Sequence, residues 1–425
     1  MQTKLAPELK GSLEGDTAEA ILRQCVHCGF CNATCPTYQL SGDELEGPRG
    51  RIYLIKQTLE GAPVTRLTQQ HLDHCLTCRN CETTCPSGVP YGQLIEIGRG
   101  LVEQKVARPP QEKLLRWALK EGLTSSAFAP AMKFAQWMQP LLPGVLKRKV
   151  PPPAPARAHE WPKSRHARKV LMLQGCVQPA MMPNINSATA RVLDAAGIEA
   201  LVAPQAGCCG ALRTHLNDHA GGLDDMRRNI DAWWPLIQTQ PLEAIVMNAS
   251  GCGVTVKGYA SALAHDAAYA DKARCVSELS QDLGELLPGL VPTLKARLHK
   301  PPAQCLAYHP PCTLQHGQQK RGHIEAGLSA LGWQVRLATS ESHLCCGSAG
   351  TYSVLYPETA HALRDRKLAQ LEPLKPEVII SANMGCIQHL QTGTAVPVRH
   401  WVEVLDDALT VPSSKLNTTS PKQLF

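Results

Sequence analysis

Short apolar runs alternate with helix-like stretches through the second half of the chain. The segments VLMLQ, IEALVAP and AIVMN, which begin at residues 170, 198 and 244, have the length and composition of buried strands. Between them, ATARVLDAAG and MRRNIDAWW carry apolar residues at helical spacing. Alternating strands and helices are typical of parallel sheets. The pattern therefore predicts an α/β architecture from about residue 170 onward.

This pattern occurs twice, at an offset of about 135 residues. VLMLQGC, ending at Cys176, corresponds to CLAYHPPC, ending at Cys312. EAIVMNASGC, ending at Cys252, corresponds to EVIISANMGC, ending at Cys386. Between them, VLDAAGIEALVAPQAGCCG corresponds to LSALGWQVRLATSESHLCCG. The duplication predicts two copies of one domain.

The chain before these repeats is patterned differently. The stretch 101–140, with LVEQKVARPPQEKLLRWALKEG and AMKFAQWMQPLL, has Leu, Trp, Met and Phe at spacings that predict helices with one half-buried face. We expect that face to pack on the preceding domain; the alternative is docking to a partner or a membrane surface. Residues 141–168 are rich in proline, lysine and arginine, which predicts an extended, solvated linker.

Composition narrows the class of protein. The chain has 425 residues, with 44% hydrophobic and 19% charged residues, which is typical of a globular protein of two or three domains. A net charge of +7 is not the footprint of a nucleic-acid binder, so we expect no nucleic-acid partner. No stretch approaches the roughly 18 apolar residues that span a bilayer. Any membrane association should therefore be peripheral.

Eighteen cysteines are the most unusual feature of the composition. The N-terminus, MQTKLAPELKGSLEGD, has no apolar signal segment, so we expect a cytoplasmic chain. Cysteines in that compartment indicate metal or redox chemistry rather than disulfides.

Two short segments concentrate these cysteines. CVHCGFCNATCP begins at residue 25 and CLTCRNCETTCP at residue 75, and both have the spacing C-x2-C-x2-C-x3-C-P. Structural zinc sites use two cysteine pairs separated by a longer loop. The observed spacing is instead the bacterial ferredoxin pattern, in which three cysteines bind one cluster and the fourth binds the other. We therefore predict two [4Fe–4S] clusters with crossed ligands. Cluster 1 is assigned to Cys25, Cys28, Cys31 and Cys85, and cluster 2 to Cys75, Cys78, Cys81 and Cys35.

Arg49, Arg51 and Lys56 lie between these motifs, and Arg79 lies within the second. Cations near a cluster raise its reduction potential. The alternative interpretation is that they are solvated surface charges.

Each repeat places four further cysteines after its strands. They are Cys176, Cys208, Cys209 and Cys252 in the first repeat, and Cys312, Cys345, Cys346 and Cys386 in the second. The carboxyl ends of parallel strands form the edge where ligands bind. We expect the repeats to face each other about a pseudo-twofold axis, with these thiols lining one cleft that holds a third iron–sulfur centre or an exit site for electrons. The alternative is that they are small core residues. Cys275 and Cys305 fall outside the pattern and are interpreted as structural.

The predicted fold class is α+β and multidomain, with a mostly helical, two-cluster ferredoxin-like domain followed by two α/β cysteine-rich domains with parallel sheets. The predicted limits are 1–100 for the ferredoxin-type domain, 101–140 for the helical extension, 141–168 for the linker, and 169–290 and 303–410 for the repeats.

Together these residues resemble the iron–sulfur subunits of glycolate oxidases (glycolate dehydrogenases). The resemblance covers nearly the whole chain, including GDELEGPRGRIYLIKQTLEG, NIDAWWP and HLCCGSAGTY. It implies an electron-transfer subunit of a complex that oxidises glycolate to glyoxylate. Flavoprotein subunits would supply the electrons, and a quinone or the respiratory chain at the inner face of the cell membrane would accept them. Lactate-utilisation, anaerobic glycerol-3-phosphate dehydrogenase and heterodisulfide reductase subunits belong to the wider group.

One departure from that wider group matters. The fullest cysteine-rich domains of this group end in C-x-x-C, and here the first of those positions is Ala249 in one repeat and Asn383 in the other. The departure argues against the non-cubane cluster chemistry of heterodisulfide reductase.

The sequence also lacks the motifs of a hydride-accepting enzyme. We find no G-x-G-x-x-G opening a βαβ unit and no Walker A loop, so we expect no flavin in this chain, no catalytic residue for glycolate and no glycolate oxidation by the chain alone. The remaining alternatives are an iron–sulfur subunit for lactate or glycerol 3-phosphate, a quinone or disulfide reductase built on the cysteine-rich half, and an iron–sulfur redox sensor. No concentrated basic recognition helix supports the sensor.

Overall fold

The computed structural model of the protein describes residues 1–141, 150–153, 156–299 and 304–409. Within them, a helical N-terminal part precedes two four-stranded parallel sheets covered by helices, which confirms the predicted fold class. The predicted domain limits stay predictions. Parts of the predicted linker and the two ends of the predicted second repeat lie outside the described residues.

The N-terminal part consists of helices and loops. Its described α-helices are α1 (Leu13–Gln24), α2 (Phe30–Ala33), α3 (Pro36–Ser41), α4 (Pro48–Leu59), α5 (Arg66–Asp73), α6 (Asn80–Thr84), α7 (Tyr91–Lys105), α8 (Pro110–Thr124) and α9 (Phe128–Trp137). The Ser12 side chain caps α1, and Pro48 occupies the first position of α4, where a missing N–H costs nothing. Leu22, Ile55 and Leu94 of α1, α4 and α7 share one buried core.

Each repeat contains one parallel sheet, with its strands in the order second, first, third, fourth. The strands are β1 (Arg168–Met172), β2 (Ile198–Leu201), β3 (Leu242–Met247) and β4 (Ser280–Asp282) in the first repeat, and β5 (Cys305–His309), β6 (Gln334–Leu337), β7 (Val378–Ser381) and β8 (Val398–His400) in the second. The strand order reverses between the first and third strands, and their carboxyl ends form the crevice where such sheets bind ligands.

Helices cover and connect these strands. The described α-helices of the repeats are α10 (Gln178–Met181), α11 (Asn184–Ala195), α12 (Ala211–His215), α13 (His219–Thr239), α14 (Ser250–Lys257), α15 (Tyr259–Ala262), α16 (Ala270–Leu279), α17 (Leu283–Lys295), α18 (His323–Ala330), α19 (Tyr352–Leu355), α20 (Pro357–Leu371), α21 (Met384–Gln391) and α22 (Trp401–Leu409).

The two repeats share one hydrophobic core. Helix α11 packs against α22, and Val192 and Trp401 belong to the same buried cluster. The carboxyl ends of the third strands also meet, because the Ser250 N–H donates to the Ala382 carbonyl over 3.1 Å. The ligand-binding edges of both sheets therefore border a common region.

Each sheet has a fourth strand that the sequence pattern did not predict. Strands β4 and β8 have three residues each, SQD and VRH, and contain no apolar run. They join their sheets by pairing with β3 and β7, so the neighbouring strand decides their conformation.

The predicted packing of the helical extension on the preceding domain is wrong for three of its aromatic residues. Trp117, Phe134 and Trp137 are exposed. Charges hold α8 instead: Arg116 lies in an ion pair with the buried carboxylate of Asp73, with 3.1 Å between Nη2 and Oδ2. A helical pattern of apolar residues does not distinguish a buried face from an exposed one.

The prediction of a solvated linker is also wrong for the short helical turn Ala156–His159. Ala158 is buried, and Arg157 donates to the Asp406 carboxylate of α22 over 2.9 Å. The Arg157 carbonyl accepts a hydrogen bond from Arg191 of α11. This segment therefore packs on the interface between the repeats.

Candidate metal centres

The first ferredoxin motif and the last cysteine of the second surround one cavity. Its lining includes Cys25, Cys28, Cys31, Cys81 and Cys85. Burial raises the pKa of Cys31 to about 11, and the proximity of Cys25 and Cys85 adds to that shift. The structure thus brings Cys85 next to the first motif. In sequence, Cys85 lies 50 residues after Cys35, the fourth cysteine of that motif.

A second cavity adjoins the other motif. Its lining includes Cys35, Cys75, Cys78 and Cys81. Burial raises the pKa of Cys78 and Cys81 well above the ordinary value for a thiol, and neighbouring cysteines raise it further. Such thiols are protonated until a metal displaces the proton. Soft sulfur donors from two chain segments fit the ligand set of an iron–sulfur cluster.

The two cysteine loops have the same backbone conformation. His27 and Thr77, at matching positions, have φ values of 59° and 50°, and Gly29 and Arg79 have values of 84° and 57°. Residues other than glycine rarely adopt positive φ. The two loops therefore share their left-handed positions although their intervening side chains differ.

A buried ion pair adjoins the second cavity. Arg51 is 1% exposed and donates to the Glu46 carboxylate over 2.7 Å, to the Thr37 hydroxyl over 3.1 Å and to the His71 carbonyl over 2.7 Å. Thr37 Oγ1 lies 3.3 Å from the sulfur of Cys35. Although burial lowers the pKa of Arg51, the nearby side chains of Cys75, Tyr91, Cys35 and Glu46 raise it overall, so the guanidinium remains charged. The interpretation of Arg51 as a solvated surface charge is wrong.

The other three basic residues differ from Arg51. Arg49 and Lys56 form partly exposed ion pairs with Glu44 and Glu60. Arg79 borders the second cavity. Sequence reasoning did not identify Glu46, because nothing in its local sequence indicates that it contacts Arg51.

A tight turn follows the cysteine pair in each repeat. Gly210 and Gly347 have φ values of 95° and 88°, and their N–H groups donate to the sulfurs of Cys208 and Cys345 over 3.5 and 3.4 Å. A Cβ atom on either glycine would collide with a carbonyl oxygen, which at Gly210 is that of Gly222 at 2.7 Å. Glycine is therefore required by both conformation and space.

In each repeat the four cysteines lie next to one another in a row. The row of the first repeat is Cys176, Cys208, Cys209 and Cys252, and that of the second is Cys312, Cys345, Cys346 and Cys386. In the second row, the Cys312 and Cys345 sulfurs are 3.8 Å apart. Hydrogen bonds from Cys176 and Cys209 lower the pKa of Cys208, which favours the thiolate, the form that binds metals.

One cavity of about 220 Å³ lies between the two rows. Its lining includes seven of the eight row cysteines, all but Cys346, and also Leu76 and Thr77 of the second ferredoxin motif. The thiols of the two repeats therefore converge on one cleft. The pseudo-twofold arrangement stays a prediction.

The second ferredoxin motif directly contacts the row of the second repeat. Cys78 belongs to one buried cluster with Cys312, Cys345 and Tyr352. The Tyr352 hydroxyl donates to the His74 carbonyl over 3.2 Å. A site built on Cys78 is therefore adjacent to one built on the second row.

Cys275 and Cys305 belong to neither row. Cys275 lies on α16, and Cys305 opens β5, with its thiol directed at the Leu374 carbonyl over 3.8 Å. Among the described residues, no helix is both long and apolar enough to cross a membrane.

The segments that contain these cysteines match two protein families. Residues 21–89 match the 4Fe–4S dicluster domain, and residues 170–257 and 306–391 each match the cysteine-rich domain. The matched ranges contain both ferredoxin motifs and both rows and exclude Cys275 and Cys305.

One relative aligns along nearly its entire length. The glycolate oxidase iron–sulfur subunit of Escherichia coli (strain K12) is 52% identical over 411 residues, which cover 96% of this chain and 99% of that protein. The chain belongs to the family of glycolate oxidase iron–sulfur subunits.

Two other relatives are less similar to this chain. A probable glycolate oxidase iron–sulfur subunit of Bacillus subtilis (strain 168) is 28% identical over 88% of this chain and 89% of its own. Lactate utilization protein A of Bacillus licheniformis is 24% identical over 56% of this chain and 99% of its own. The similarity to the glycolate oxidase subunits thus extends over much more of the chain than the similarity to the lactate protein.

Proposed function

We propose that this chain is the electron-transferring iron–sulfur subunit of a glycolate:acceptor oxidoreductase that converts glycolate to glyoxylate. The observation that carries the proposal is the pair of thiol sites, each completed by a cysteine from the other motif. The 52% identity to a glycolate oxidase iron–sulfur subunit over 96% of the chain supports the choice of substrate.

The chain binds two [4Fe–4S] clusters in this proposal, and when bound they accept and release single electrons. The ligands are Cys25, Cys28, Cys31 and Cys85 at the first site, and Cys75, Cys78, Cys81 and Cys35 at the second. Because each motif supplies ligands to both sites, the crossed ligands would hold the two clusters at a fixed separation. The buried charge of Arg51 beside Cys35 favours the reduced state at the second site.

The two cysteine rows are the proposed source of ligands for a further iron–sulfur centre. The cavity between the rows, which is lined by thiols of both repeats, supports this assignment. Because Cys78 shares a buried cluster with Cys312 and Cys345, the proposed centre would be adjacent to the second ferredoxin-type site.

Flavoprotein subunits of the same complex are the proposed electron donors, because the sequence offers no dinucleotide-binding motif. The first site lies closest to solvent. Cys28 is exposed, and Val26 and Phe30 beside it are 70% and 62% exposed. This apolar surface supports docking of the flavoprotein there. A quinone or the respiratory chain at the inner face of the cell membrane is the proposed acceptor.

Reconstitution of the complex tests the function. The purified chain should contain iron but should not oxidise glycolate with an artificial acceptor dye. The flavoprotein subunits alone should retain dye-linked glycolate oxidation and lose quinone reduction, which the chain should restore. A control preparation carrying Cys78→Ser should restore less quinone reduction. Glycolate turnover by the chain alone, or quinone reduction that is independent of the chain, would overturn the proposal.

A further inference from the structure

A histidine that the cysteine pattern does not include lies at the end of the second repeat's first strand. His309 is the last residue of β5 and is 1% exposed. Neither of its ring nitrogens has a hydrogen-bond partner among the residues that the structure describes. A buried polar group without a partner costs about 1–3 kcal/mol, so a ligand on either ring nitrogen would remove part of this cost.

Two thiols of the second row lie close enough to His309 to share a bound metal ion with it. A ring nitrogen of His309 and the sulfurs of Cys346 and Cys386 all lie within 4.8 Å of one another. Cys346 is 1% exposed and Cys386 is 4% exposed. Ligand atoms around one tetrahedral zinc ion, with Zn–S of about 2.3 Å and Zn–N of about 2.0–2.1 Å, fall within such a spacing.

We propose that His309, Cys346 and Cys386 bind a single zinc ion. This assignment leaves the other six row cysteines as ligands for the iron–sulfur centre proposed in the cleft. Mixed imidazole and thiolate donors are the ligand types that zinc prefers in proteins. Cys386 also borders the cleft.

The chemistry of the histidine is consistent with this role. Burial lowers the pKa of His309 well below its ordinary value, and the positive charge of Lys367 adds to the effect. The ring is therefore neutral, which is the form that ligates metals. The Ser381 hydroxyl donates to the His309 carbonyl over 2.9 Å and holds the end of β5 against β7.

The two repeats differ at this position. In the first repeat the residue that corresponds to His309 is Leu173, which is buried in an apolar cluster near Cys209. The first row thus has thiols alone, whereas the second has an added nitrogen donor. The Cys346 thiol also does not line the cleft, unlike its counterpart Cys209. The duplicated rows have therefore acquired different ligand sets.

His309→Leu tests the proposal, because it introduces the residue that the first repeat carries. The full chain, purified anaerobically with its partner subunits, would be titrated with Zn²⁺ and with Co²⁺ as a spectroscopic probe. We expect tetrahedral Co²⁺ bands with thiolate charge transfer in the unsubstituted protein. In His309→Leu and Cys386→Ser, affinity should fall by more than about tenfold, because even outer-shell partners of a metal site contribute about 10- to 100-fold.

Controls separate loss of a ligand from loss of the fold. Cys305→Ser, in the same strand but outside the row, should leave metal binding unchanged. The ferredoxin-type EPR signals should survive in every variant. Zinc-edge X-ray absorption of the unsubstituted protein should show a nitrogen shell beside the sulfur shell, which makes the test independent of how His309→Leu folds. Sulfur-only coordination, unchanged affinity in His309→Leu, or iron with stoichiometric acid-labile sulfide on Cys346 would overturn the proposal.

Discussion

The hydroxyl of Thr83 lies 2.9 Å from Nδ1 of His316, which joins the second ferredoxin motif to the second repeat across 233 residues of sequence. Nε2 of the same histidine contacts the His343 carbonyl at 2.9 Å, two residues before Cys345. One imidazole thus connects the helix between Cys81 and Cys85 to the loop that carries the second cysteine pair. The relative position of the two thiol sites depends on such contacts.

The crossed ligands predict which cluster each substitution damages. Cys35→Ser should remove the same EPR signal as Cys78→Ser, because both residues border the second cavity. Cys85→Ser should remove the same signal as Cys28→Ser, because both border the first. The four variants would be compared by EPR after reduction. If Cys35→Ser and Cys28→Ser abolish the same signal, the crossing is wrong.

Arg51→Met should destabilise the protein by about 3–5 kcal/mol, because it leaves the buried Glu46 carboxylate without its cation. It should also lower the reduction potential of the second cluster, since a buried positive charge is lost. Chemical unfolding and a potentiometric EPR titration measure the two effects.

Arg49→Met is the matched control for this prediction, because Arg49 forms a partly exposed ion pair with Glu44. It should change stability and potential little. If both substitutions changed stability and reduction potential equally, the burial of Arg51 would not be the cause of the effects.

Cys209→Ala should lower the iron content of the chain while the two ferredoxin-type EPR signals remain. Cys209 occupies the middle of the first row, so its loss leaves three thiols where a cluster needs four. Iron and acid-labile sulfide would be counted in both proteins, with Cys275→Ala as a control cysteine outside the row. An iron content of about eight atoms in the unsubstituted protein and in Cys209→Ala, as two cubanes require, would exclude the third centre.

Asp282 should make stability depend on pH. Burial raises the pKa of Asp282 to about 7, although its side chain accepts a hydrogen bond from the Gly284 N–H over 2.9 Å at the start of α17. The native carboxyl therefore keeps its proton between about pH 4 and 7, where the unfolded one has lost it. Since the native state binds more protons there, stability should fall as the pH rises through this window and stay low above it.

Asp282→Asn should remove this slope, because asparagine also caps helices and cannot ionise. At about pH 8 the variant should be more stable than the unsubstituted protein by about 2–4 kcal/mol, and near pH 4 the two should differ little. Thermal unfolding across this pH range checks the prediction, with the exposed Asp271→Asn as a control. Parallel stability curves for Asp282→Asn and the unsubstituted protein would contradict it.

Several features of the fold could be predicted because they are local in sequence. The strands VLMLQ and AIVMN are continuous apolar runs, and the structure has β1 and β3 at those places. The strand β4 could not be predicted, because its residues SQD have no apolar character and join the sheet only through β3. The exposed Trp117 shows the same limit for helices, since periodicity marks a face without saying what covers it.

The cysteine spacing by itself determined the candidate ferredoxin sites, because three ligands within seven residues define a loop whose backbone has few alternatives. His27 and Thr77, at matching positions in the two loops, share a left-handed conformation. Tertiary structure alone decided that Arg51 is buried beside Cys35, that Cys78 contacts Cys312, and that His309 lies against Cys346 and Cys386. These residues come from segments far apart in the chain, and only the packing of the helices and sheets brings them within contact distance.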